Sequence, residues 1–156
     1  MQENEPLLYN SEFLPSVSIA VVFEENPQYE QLKPFFQDYG YGFMVPGKNL
    51  VVIDGEQLVN GLGGEVLKFI EAHEISHIIM GHDGPRSEED EIDADLGAYI
   101  LLKQAGKTDS IKTLLKQFKN RHGIKFEEKL LDRVKNYFSW YFGRWFFHIF
   151  DIFICY

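Results

Sequence analysis

Cysteine is all but absent from this chain. Cys155, next to the last residue, is the only one among 156. That excludes an internal disulfide framework and any cysteine-built zinc site. Basic side chains are scarce as well. Fifteen Lys and Arg stand against 24 Asp and Glu, for a formal net charge of −9. Wrapping nucleic acid needs a basic surface, so no nucleic-acid partner is expected. The opening "MQENEPLLYN" lacks the basic and apolar regions of a signal peptide. A cytoplasmic protein is the simplest expectation. No repeat or low-complexity tract stands out.

What is present is ample apolar material, 45% of residues, with aromatics at 15%. A chain of this length can bury a core without staples, and it reads as a single domain over 1–156. The β-branched run Val17 to Phe23 predicts a buried strand. Phe43 to Val45 and Leu50 to Ile53 flank "PGKN", which predicts a hairpin. Pro34 limits "YEQLKPFFQDYG" to a short helix at most. From Gly64 to Met80 the apolar spacing turns helical, and the pattern is apolar on nearly every face, as a buried helix requires. Ser87 can cap a second helix running to about Gln104, and amphipathic helices follow. Strands first and helices after predict an α+β fold, a small mixed sheet with a hairpin packed on a helical part.

The tail, Ser139 to Tyr156, reads as an aromatic-rich C-terminal helix. Arg144, His148 and Asp151 form one polar stripe along it. Mid-span charge disfavours a membrane span. Packing on the domain or on a partner is expected in preference to membrane contact.

Chemistry concentrates in "AHEISHIIMGH", Ala72 to His82. His73 and His77 stand four residues apart, so on a helix both imidazoles can reach one metal ion. Glu74 lies about 100° round from His73, beside that face, where a carboxylate can take a proton from a water held by the metal. As mere core residues, two histidines and a glutamate in an apolar helix would be costly unless partnered. One zinc ion satisfies all three. Asp83, Glu91 and Asp95 compete as third ligand. Asp83 is out of register for a short motif ending just past the helix, since Met80 stands where that motif needs glycine. Glu91, Ala94, Asp95 and Ala98 share one face of the next helix. The alanines allow close approach. Glu91 has the reach for the metal, and Asp95 suits holding an imidazole by its free nitrogen.

"HEISH" at 73–77 followed by "EIDAD" at 91–95 resembles the gluzincin metallopeptidases. The "HEISHIIMGH" form and the preceding hairpin are most similar to the ImmA/IrrE-type family. The resemblance covers roughly residues 43 to 103. It implies a zincin-like metallopeptidase domain with one Zn2+ held by His73, His77 and Glu91. It implies Glu74 as general base and Asp95 as support to a ligand histidine. It implies that Leu50, Val51, Val52 and Ile53 form the edge strand along which an extended peptide lies. The activity implied is a zinc endopeptidase of narrow specificity, acting on a protein or peptide such as a transcriptional repressor. No attached helix-turn-helix or sensor domain is legible, and the aromatic tail lies outside the family pattern. His82, Tyr99, His122 and His148 are of the right type to stabilise an oxyanion, and each has an ordinary structural reading. The competing function is a zinc-bearing regulatory or interaction protein without hydrolysis. Glu74 favours the enzyme, because a structural site needs no base.

Overall fold

The β-branched run is a strand, but it is the second of four. A computed structural model describes residues 5–60 and 64–142, with side chains to 136. The elements are β1 (Leu7–Asn10), β2 (Ser18–Val22), α1 (Tyr29–Tyr39), β3 (Gly42–Met44) and β4 (Leu50–Asp54). Helices follow: α2 (Gly55–Val59), α3 (Gly64–Met80), α4 (Glu88–Gln104), α5 (Thr108–His122) and α6 (Phe126–Phe142). The fold is α+β, with a mixed sheet ordered β1-β2-β4-β3. β2 and β4 run parallel, and β1 and β3 are antiparallel to their neighbours.

Alternation along β2 and β4 divides the core. Ile19 pairs with Val51 and Val21 with Ile53, and these residues are buried on the face toward α3. Gly42 sits on that face. A Cβ there would lie 2.9 Å from Ile70 Cγ2 of α3, so glycine lets β3 approach the helix closely. On the opposite face Val22, Phe43 and Val52 pack with Tyr29 and Phe36 of α1.

Two expectations are corrected here. α1 spans 11 residues with Pro34 inside it, longer than the short helix predicted. An interior proline costs about 3 kcal/mol, but Tyr29 and Phe36 are anchored by the aromatic cluster around Phe43. The second correction concerns Leu50, Val51, Val52 and Ile53. They are not at an edge: β4 is paired with β2 on one side and β3 on the other. Burial on both faces selects such an apolar run for the sheet interior. The edge beside α3 is β3. β1 has no counterpart among the predicted strands. Leu7 and Leu8 are exposed, and the strand is held by pairing with β2.

α3 is buried without interruption from Glu71 to His77. Glu71 ties it to the N-terminal segment. Its carboxylate accepts from Ser11 Oγ at 2.6 Å, Tyr9 Oη at 3.2 Å and Lys68 Nζ at 3.0 Å. Burial and the Glu71 charge push the Tyr9 hydroxyl well above its usual range. The chain divides into two compact units, residues 1–117 and 118–156. In the second, the rings of Phe118 and Phe126 meet edge to face. The helix expected over 139–156 lies outside the described residues from 143 onward. Among the described residues no helix is long and apolar enough to cross a membrane.

Candidate metal centre

α3 and α4 pack side by side because the residues between them are small. Ala94 and Ala98 are fully buried. At Gly97 a Cβ would come within 2.9 Å of Ser76 Cβ. The expected alanine face is real, and a glycine extends it. This closeness brings Glu91 over the two imidazoles.

His73, His77 and Glu91 each offer a ligand atom, all within 4.8 Å of one another, and the group can hold a metal ion. His73 Nε2 is 3.1 Å from His77 Nε2. Glu91 Oε2 is 3.3 Å from His73 Nε2, and Oε1 is 3.5 Å from His77 Nε2. Ligands bonded at about 2.0–2.1 Å to a tetrahedral ion stand ~3.3 Å apart. The imidazole pair lies near that value and each Glu91 oxygen lies near one imidazole, so the group can hold a metal ion.

The remote imidazole nitrogens are both held. His73 Nδ1 lies 2.8 Å from Asp95 Oδ1, and Asp95 is fully buried. His77 Nδ1 lies 2.9 Å from His82 Nδ1. His82 reaches there through the way α3 ends. Gly81 adopts φ 71°, the Gly81 amide donates to Ile78 O, and the His82 amide donates to His77 O. That Schellman closure sets the residue after the glycine against the helical residue five positions before it. His82 Nε2 in turn lies 3.5 Å from Asp90 Oδ1. Asp90 also closes the capping box of α4: its Oδ2 accepts from the Ser87 amide and its own amide donates to Ser87 Oγ.

The electrostatics follow from this packing. Burial opposes a charge on His73, but the bonds to Asp95 and Glu91 prevail and raise its pKa to about 9. For His77, burial and the neighbouring His73 charge bring the pKa down. Burial acts to raise Glu91, yet the two histidines hold it far below the usual carboxylate range.

Glu74 stands beside the triad. Its Oε2 accepts the Met44 amide of β3 at 3.2 Å and Arg86 Nη2 at 2.7 Å. Its Oε1 meets Arg86 Nη1 at 3.4 Å. The Arg86 guanidinium also lies 5.5 Å from the centre of the Tyr39 ring and 3.7 Å from Glu91 Oε1.

Of the other candidates, Asp83 is exposed in the loop after α3 and stays outside the cluster. His82 stands behind His77, on the side away from Nε2. Tyr99 carries Lys103 over its ring, and His122 packs on Phe118. His148 lies outside the described residues. Sequence reasoning missed Arg86 and Met44. Arg86 had one signal: it directly precedes the helix cap Ser87, in the loop that follows the helix of Glu74.

Compared with protein-family models, curated proteins and solved structures, the chain shows no match.

Proposed function

We propose that the chain is a zinc-dependent endopeptidase of the gluzincin kind, with His73, His77 and Glu91 as ligands. One observation carries the reading: three side chains on two packed helices whose donor atoms converge closely enough to hold a metal ion, with a buried carboxylate, Glu74, beside them. Three protein ligands with an open fourth position are the mark of a catalytic rather than a structural zinc. Zinc, when bound, supplies a Lewis acid and lowers the pKa of a water toward ~7.

The protein's own groups do the rest. Glu74 takes the proton of the attacking water. Asp95 and His82 keep each imidazole turned with Nε2 toward the ligand position. Among the described residues β3 is the edge strand beside α3. Tyr41 O and the Val45 amide bond inward to β4, so by strand alternation Gly42 and Met44 turn their polar groups away from β4; the Met44 amide is taken by Glu74, which leaves the Gly42 amide and carbonyl and the Met44 carbonyl for a substrate. An extended substrate segment adds there as a further strand. The edge is three residues long, which suits one short stretch of a protein substrate. The resemblance to the ImmA/IrrE-type family points to a regulatory protein such as a transcriptional repressor as that substrate.

The test is zinc analysis with a peptide library, cleavage read by mass spectrometry, on wild type and Glu74→Gln. One zinc per chain is expected in both, with hydrolysis reduced about 10²–10⁴-fold in the variant. Loss of zinc from Glu74→Gln, or undiminished cleavage, removes Glu74 from the role of base.

A further inference from the structure

We propose that Arg86 is the positioning residue of the general base, fixing one oxygen of Glu74 so that the other is the proton acceptor. The proposal rests on the hydrolytic reading above and adds a residue to it. Glu74 Oε2 takes two donors, the Met44 amide and Arg86 Nη2 at 2.7 Å, whereas among the described residues Oε1 has only the long 3.4 Å approach of Arg86 Nη1. A carboxylate held by two N–H groups at one oxygen keeps lone pairs free at the other. Oε1 is therefore the oxygen left to accept a proton, and the grip on Oε2 sets its direction.

Arg86 is itself fixed from three sides. Its guanidinium lies along the Tyr39 ring of α1. The next residue, Ser87, is fixed in the capping box of α4. Its Nη1 faces Glu91 Oε1 at 3.7 Å. The side chain is 11% exposed, so the contact is shielded from solvent, where a charged fork holds geometry best. Lysine could supply the charge but not the two-pronged hold.

The experiment uses the zinc-loaded full chain as wild type, Arg86→Ala, Arg86→Lys, Glu74→Gln and the Arg86→Ala/Glu74→Gln double variant. Zinc content is measured, then acetohydroxamate affinity by calorimetry, then kcat and KM on a cleaved peptide. A hydroxamate chelates zinc and hydrogen-bonds the base, so its affinity reports the placement of Glu74 without turnover. All five proteins are expected to hold one zinc. Arg86→Ala should weaken acetohydroxamate roughly ten- to a hundredfold, lower kcat in parallel and leave KM nearly unchanged. Arg86→Lys should recover part of both. In the Glu74→Gln background, removing Arg86 should change acetohydroxamate affinity little.

An Arg86→Ala variant that matches wild type overturns the proposal. So does a loss of equal size in both backgrounds, which places Arg86 in the general fold. A rise in kcat also overturns it, because Arg86 would then be blocking the base. If acetohydroxamate binding depends on Arg86 through Glu74 but no peptide is cleaved, the positioning role stands and the endopeptidase reading falls. If wild type binds no zinc, both fall.

Discussion

His82 Nδ1 sits 2.9 Å from His77 Nδ1, at the sequence offset that a Schellman closure brings together. The two ligand histidines are thus supported by different chemistry. His73 leans on a buried carboxylate, and His77 leans on a third imidazole backed by Asp90.

His82→Ala should therefore weaken zinc binding about 10–100-fold, the range for losing a partner of a ligand histidine. Asp95→Ala should do the same from the other side. Chelator competition measures both. A His82→Ala protein with wild-type zinc affinity would show that the His77 ring is held by packing alone.

Glu91→Ala should abolish tight zinc binding, and Asp83→Ala should leave it nearly unchanged. Glu91 completes the triad at 3.3 and 3.5 Å from the imidazoles, while Asp83 is exposed outside it. The reverse ranking of the two variants in metal content would overturn the ligand assignment.

Zinc uptake should release a proton. The metal-free His73 pKa stands at about 9, above its ordinary value, so at neutral pH the ring is charged and zinc must displace that proton. Apparent affinity should rise roughly tenfold per pH unit toward pH 9 and then level off. The same raised pKa stabilises the metal-free fold fully below the unfolded value near 6.5. That contribution is lost as pH climbs through about 9. Calorimetry in buffers of different ionisation enthalpy reads the proton directly; a buffer-independent enthalpy counts against a charged His73.

Gly97→Val should lower stability by about 1–3 kcal/mol and weaken zinc binding with it. The added side chain collides with Ser76, where even a Cβ would lie 2.9 Å from Ser76 Cβ, and it pushes α4 with Glu91 away from α3. Thermal melts with and without zinc separate the two effects. Unchanged melting would mean the helices can move apart without strain.

The group of His73, His77 and Glu91 that can hold a metal ion was legible in the sequence because it depends on local spacing. His73, Glu74 and His77 follow from one helix period, and Glu91 and Asp95 from the next. Ser87 was readable as a cap for the same reason. The sheet was not fully readable. "LVVID" looks alike as an edge or an interior strand until its partners are known, and its neighbour β2 is distant in sequence. α1 was hidden by Pro34, whose cost is met by contacts with Phe43 that no local pattern reveals. Arg86 escaped for a related reason. A single arginine in a Gly-Pro loop carries no period, and its partner Glu74 lies 12 residues earlier in the sequence.

The ligands and their supports all fall between His73 and Asp95, within one antiparallel helical pair. Closing so short a stretch of chain costs little entropy and proceeds fast. The parallel pairing of β2 with β4, by contrast, must close over α1 and β3, which separate the two strands in sequence. During synthesis the metal cradle is thus a late-emerging but quick-forming piece, ready once α4 has left the ribosome. A metal ion present at that moment would clamp α3 to α4.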